Sequence, residues 1–186
     1  SPQKIKLIGD KSLSKRDFSR ITLPLKKFGA KFFYKTKNRL PLSILGSQSL
    51  KGIKYEENKG SAQCKSSVML AALNSSGTTF IKAKKSRNHS ELLFKYLNIP
   101  IKIRKSKKYD YINIKSPKKI NAFNYHIPGD ISSSAFFIVL TTLTSDSRLL
   151  IKNVNINPSR VGIIVILKKM GAKIILKNKK NYRGEK

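Results

Sequence analysis

A nine-residue segment of this chain occurs nearly twice: LKKFGAKFF at 25 to 33 returns at 167 to 175 as LKKMGAKII, with six of nine positions identical. A weaker third copy, FKYLNIPIKI at 94 to 103, also ends a helical pattern in a turn and enters an apolar strand. Phe28, Leu97 and Met170 mark the register, 69 and 73 residues apart. Recurrence at such a period means a repeated supersecondary unit. Other landmarks keep the same spacing. GSAQCKSSVMLAAL from Gly60 aligns with GDISSSAFFIVLTT from Gly129, SSGTTFIKA with SDSRLLIKN, and Ser86-Arg87 with Ser159-Arg160.

Each unit can be read from its pattern. An apolar helix over 61 to 73 meets a turn at Ser76-Gly77, then a β-branched strand at 78 to 82. An amphipathic helix follows over 88 to 97, with Leu92, Leu93, Tyr96 and Leu97 on one side, and two strands near 100 to 104 and 110 to 114 close the unit. Gly29, Asn98 and Gly171 stand where a helix C-terminus favours a left-handed residue. In this register the first unit begins at its strand, IKLIG, and the last stops after AKIIL, so the chain reads as a fragment cut mid-unit at both ends.

After Ser67 the segment GSAQCKSSVMLAAL has no polar side, and a helix that is apolar all round must be enclosed. Val68, Met69, Leu70 and Leu73 are expected in the core, each worth roughly 1.5 to 3 kcal/mol when fully buried. The first N–H groups of an enclosed helix need a cap, water or an anion. Ser61 and Gln63 stand there, small and polar enough to let a ligand reach the backbone. N-capping by Ser61 is the simplest account of one such helix. A second helix that opens the same way, with Asp130, Ser132 and Ser133, favours polar mouths that bind.

Composition narrows the partners. Forty Lys and Arg against nine Asp and Glu give a net charge of +31, which suits nucleic acid, an anionic surface or phosphorylated substrates. Lys outnumbers Arg 32 to 8 and the charges are scattered along the chain, so A+T-rich coding explains much of the excess. The aromatic-basic stretches FFYKTK (32 to 37) and KKYDYINIK (107 to 115) are accounted for by strand alternation, which leaves nucleic acid as an alternative partner only. A single cysteine, Cys64, excludes an internal disulfide framework and fits the cytosol. His89 and His126 lie in no metal-ligand spacing. No run of 18 apolar residues occurs, so no membrane span is expected.

The segments GDKSLSKR (9 to 16), PLKKFGA (24 to 30), GSAQCKSSVMLAAL, SRNHSELL (86 to 93), PGDISSSAFF (128 to 137), NPSRVGIIVILKKMGAKI (157 to 174) and the terminal RGE span nearly the whole chain. Together they resemble the 5-enolpyruvylshikimate-3-phosphate synthases, the 3-phosphoshikimate 1-carboxyvinyltransferases. SAQ-x-KS followed by SR-x-H is typical of that family more than of the UDP-N-acetylglucosamine enolpyruvyl transferases, the related alternative. The resemblance implies an α/β (α+β) fold of repeated βαβαββ units, the inverse α/β barrel type. Residues 1 to 127 would form two partly truncated units of one domain, and 128 to 186 the first unit of the second. It further implies transfer of the enolpyruvyl group of phosphoenolpyruvate to the 5-hydroxyl of shikimate 3-phosphate, by a cytoplasmic enzyme that is monomeric at full length and needs no metal or organic cofactor.

The same resemblance assigns residues. Ser61, Ala62, Gln63 and Arg87 match the shikimate 3-phosphate site. Arg16 matches an arginine that clamps the phosphate of phosphoenolpyruvate, and Gln63 is placed to touch both substrates. Asp130 is a possible further site residue and equally an N-cap. Lys65 and His89 read as structural, and Cys64 as a packing residue. Asp17 stands where the family usually has proline and sets a carboxylate beside Arg16; Asn88 replaces a usual aspartate. The residues expected to handle protons, with further arginines and lysines, match nothing here. No catalytic residue is therefore assigned, and the chain alone is expected to be inactive.

Overall fold

The first strand pattern, IKLIG, forms β1 (Lys4–Leu7) in the computed structural model, which describes residues 3–185. After α1 (Lys11–Ser14) and α2 (Ser19–Lys27) come β2 (Lys31–Tyr34) and β3 (Leu42–Leu45). These strands make an antiparallel sheet with β3 in the middle, pairing Ile5 with Ile44 on one side and Phe32 with Ile44 on the other. Two strands of the repeat, β4 (Lys54–Glu57) and β5 (Thr78–Lys84), run parallel and flank α3 (Ala62–Ala72). Parallel neighbours need a crossover, and α3 provides it. The chain continues through α4 (His89–Tyr96) to β6 (Ile101–Lys105) and β7 (Tyr109–Lys115). The second sheet has the order β4-β5-β7-β6, antiparallel except for its first pair.

Residues 1–86 and 97–120 form one compact unit, and 87–96 with 121–186 another. The core of the first follows from the period-2 rule. Thr79, Ile81 and Ala83 of β5 are buried, and in register opposite them lie Ile114, Ile112 and Asp110 of β7, also buried. The alternation read in KKYDYINIK is thus that of a half-buried strand. Its Tyr109 and Tyr111 lie under cations of the same chain, Lys82 and Arg104, at 4.8 and 4.3 Å from the ring centres.

Helix α3 packs on β4, β5 and β7, and α2 packs on α3. Cys64, Lys65, Val68, Met69 and Ala72 are buried, the positions that a 3.6-residue period puts on one face. Enclosure is not complete: Leu70 is 57% exposed and Leu73 only half-buried, because the sheet and α2 cover one side of the helix. The expectation that both lie in the core is corrected accordingly. Helix ends behave as the repeat predicts. Gly29, Asn98 and Gly171 take positive φ of 97°, 54° and 96°.

One glycine is required for a different reason. Gly52 donates its amide to the Ser76 carbonyl at 2.7 Å, and a Cβ there would sit 2.4 Å from the Thr78 carbonyl oxygen. That neighbour is backbone and cannot rotate away. Gly52→Ala is expected to cost about 1 to 3 kcal/mol, the range of overpacked sites, read as a lower urea midpoint with an unchanged slope.

The second unit is less regular. Its helices are α4, α5 (Ile131–Leu143) and α6 (Gly162–Lys169). An aromatic chain runs Tyr96, Phe123, Tyr125, Tyr182, with neighbouring ring centres 6.3, 6.1 and 5.4 Å apart, and joins α4 to residues 121 to 127 and the C-terminal turn. Strands predicted at SDSRLLIKN and AKIIL do not form; among the described residues the second unit has only isolated bridges, Gly129 to Val154 and Tyr182 to Glu185. A ladder needs a partner, and neither segment has one. With no sheet beneath it, α5 buries only Ile131, while Phe136 and Leu143 are each 80% exposed. The expected second enclosed helix is therefore a capped but uncovered one here.

Candidate functional site at the helix mouths

The approach to α3 is fixed by a carboxylate. Glu57, the last residue of β4, is buried, and its Oε1 and Oε2 accept the amides of Lys59 and Gly60 at 2.9 and 2.8 Å. These bonds satisfy a buried charge and hold the turn in which Gly60 takes φ +71°. Ser61 follows as the N-cap, in extended conformation, and its Oγ accepts the Cys64 amide at 3.3 Å. That leaves the amides of Ala62 and Gln63 with no acceptor among the described residues. Ser61 and Ala62 are half-buried and Gln63 is exposed. The mouth thus offers backbone donors, a helix-dipole positive end and an amide side chain, a combination suited to an anionic oxygen ligand. One turn inside, Lys65 is fully buried and Cys64 is packed at 4% exposure.

Arg16 is exposed in the loop between α1 and α2. Its neighbour Asp17 does not hold it. The Asp17 oxygens accept the Ser19 amide and hydroxyl at 2.8 and 2.7 Å, and these bonds depress its pKa, helped by the charges of Arg20 and Lys59. The carboxylate therefore caps the start of α2. Tyr55, on β4, has its phenol pKa pushed up to about 12 by burial first, then by Cys64 and Glu57.

In the second unit, Arg87 is exposed just before α4. Asp130 is the N-cap of α5: its Oδ1 accepts the Ser132 amide at 3.0 Å and the Arg160 guanidinium at 2.7 Å. Those two bonds hold its carboxyl below the ordinary carboxylate range. Arg160 also donates to Ser132 Oγ, so the arginine at the repeat position of Arg87 spans the mouth of α5.

A family model described as EPSP synthase (3-phosphoshikimate 1-carboxyvinyltransferase) matches residues 1–186. The chain belongs to the EPSP synthase family. Curated 3-phosphoshikimate 1-carboxyvinyltransferases are similar along most of it. That of Caldicellulosiruptor bescii is 41% identical over 181 residues, covering 96% of this chain and 42% of the relative. That of Bacillus subtilis is 42% identical over 171 residues, covering 91% and 39%. The solved EPSP synthase of Acinetobacter baumannii superposes with a TM-score of 0.79 at 36% identity, covering 98% of this chain and 41% of that one. The chain thus spans about two-fifths of the length of the relatives it matches, and its enolpyruvyl transferase fold is that of the family.

Within the EPSP synthase framework, several features escaped the sequence. The burial of Glu57 was hidden by the charged run KYEE, and the Arg160 pair with Asp130 was signalled only by the recurrence of Ser-Arg. His89, read as structural, finds its partner in Glu185, 96 residues on, with Nδ1 2.5 Å from Oε1. Among the described residues no helix is long and apolar enough to cross a membrane, and no three His, Cys, Asp or Glu residues gather as a metal site.

The Tyr55 phenol supports a prediction beside the mouth. Its folded pKa lies above the ordinary value of about 10, so the neutral form is favoured by folding. This contribution is complete below pH 10 and is lost as pH rises through about 12. Tyrosinate absorbance should show a late phase near pH 12 that Tyr55→Phe removes; a titration of Tyr55 at its ordinary value would refute the prediction.

Proposed function

We propose that this chain supplies the shikimate 3-phosphate platform of an enzyme that moves the enolpyruvyl group of phosphoenolpyruvate onto the 5-hydroxyl of shikimate 3-phosphate. In that reaction the hydroxyl oxygen adds to C2 of phosphoenolpyruvate as its methylene carbon takes a proton. Loss of phosphate and of a methyl proton from the tetrahedral intermediate then restores the vinyl ether. The proposed roles are Ser61, Ala62, Gln63 and Arg87 for shikimate 3-phosphate, and Arg16 with Gln63 for phosphoenolpyruvate. Family membership supports the reaction, and the observation that carries the site is the mouth of α3, where Ser61 caps the helix and Gln63 stands exposed beside free amides.

The polyanionic substrates fit an arginine and a preorganised set of N–H donors. Asp130, engaged with Ser132 and Arg160, serves the architecture of its helix. Residues 1 to 127 and 128 to 186 belong to different domains in this reading, in a cytoplasmic enzyme that is monomeric at full length. A nucleic-acid role has less support, since Tyr109 and Tyr111 already stack under Lys82 and Arg104.

Calorimetric titration of shikimate 3-phosphate into the chain tests the proposal. Saturable binding is expected, weakened roughly tenfold or more by Gln63→Ala if a hydrogen bond to the charged ligand is lost. Absence of binding, or equal affinity of the variant, would overturn it. The isolated chain should show no carboxyvinyl transfer.

A further inference from the structure

Arg87 is exposed, yet the two residues that follow it are held by an unusually dense polar network. Asn88 Oδ1 accepts Asn157 Nδ2 at 2.9 Å and Ser159 Oγ at 3.2 Å. His89 Nδ1 meets Glu185 Oε1, which also accepts Asn157 Nδ2 at 3.0 Å, while Glu185 Oε2 accepts Asn155 Nδ2 at 2.7 Å. Asn157 is the hub: it is 1% exposed, and its Oδ1 takes the Ser159 amide and hydroxyl, both at 2.8 Å. Every polar atom of that buried side chain is used.

We propose that Asn157, acting through Asn88, is a positioning residue that fixes the backbone at Arg87 and so pre-orients its guanidinium for the phosphate of the ligand. This rests on the phosphate-binding role proposed for Arg87. A long side chain engages a ligand at lower cost when its backbone is already fixed. Two acceptor bonds on the adjacent side chain provide that anchor. The network needs donor and acceptor together, so an aspartate at 157, which lacks the amide donor, would not replace Asn157. At position 88 only an acceptor is used, so an aspartate there would suffice.

The test is the affinity of the chain for shikimate 3-phosphate in five variants. Arg87→Ala should weaken binding roughly tenfold or more, and Asn88→Ala about threefold to tenfold, the cost of ordering one long side chain, while Asn88→Asp should keep the affinity of the unaltered chain. In the Arg87→Ala background, Asn88→Ala should add nothing, since its effect passes through the guanidinium. Unchanged affinity in Asn88→Ala, or an additive loss in the double variant, would overturn the positioning role. No effect of Arg87→Ala, or no binding at all, would overturn the phosphate reading and this inference with it. Asn157→Ala should match Asn88→Ala; if the buried substitution prevents folding, the half-buried Asn88 series carries the test alone.

Discussion

Met69→Ala should destabilise the first unit by about 2 to 5 kcal/mol, the range for truncating a fully buried methionine. Met69 has no exposed surface, and neither do Val68 and Ala72 beside it on the face of α3 that lies against β5 and β7. Ile81, Ile112 and Ile114 present the matching buried face of the sheet. The shortened side chain removes apolar area from the core and leaves a cavity that the helix cannot close, being pinned at one end by Ser61 and at its side by α2. Leu70→Ala is the control. That residue is one position on, but 57% exposed, and its truncation should fall within about 0.5 kcal/mol of no change. Urea unfolding of both variants measures the contrast. Equal losses would mean that α3 is not seated through the face assigned to it.

Arg16→Ala should weaken binding of phosphoenolpyruvate by about 1.5 to 3 kcal/mol, roughly tenfold or more in affinity, as expected for losing a charge-assisted bond. The side chain is exposed and its neighbouring carboxylate is occupied by Ser19, so nothing in the Asp17 geometry withdraws it. Arg16→Lys should recover only part of the loss, because an ammonium cannot reproduce the planar fork of donors that grips a phosphate. Fluorescence or calorimetric titration with phosphoenolpyruvate, in the presence of shikimate 3-phosphate, distinguishes the outcomes. Affinity unchanged in Arg16→Ala would remove that residue from the site.

How much of this was legible depended on whether the signal was local. Helix ends were, because a left-handed C-terminal residue is a property of a few consecutive positions, and Gly29, Asn98 and Gly171 all adopt it. The β5 and β7 strands were too, since a half-buried strand alternates within its own sequence. Enclosure was not. The apolar run of α5 looks the same whether or not a sheet lies beneath it, and the strands predicted at SDSRLLIKN and AKIIL required ladder partners that the sequence pattern could not supply. KYEE looks like a solvated stretch, yet it is the edge strand β4, and Glu57 is buried because two backbone amides satisfy it. Polar partners distant in sequence, such as His89 and Glu185, were likewise out of reach. For the candidate site, motifs nominated the residues, whereas the cap geometry, the engagement of Asp17 by Ser19 and the anchoring of Asn88 came only with coordinates.

The central claim is that the N-terminus of α3 receives the phosphorylated sugar-like acid. Its most direct test is an amide-resolved NMR titration of the chain with shikimate 3-phosphate. The account predicts saturable shifts concentrated at the amides of Ser61, Ala62, Gln63 and Cys64, abolished when inorganic sulfate replaces the ligand at equal concentration. Resonances at those four positions that stay still while the ligand binds elsewhere, or that respond equally to sulfate, would contradict it.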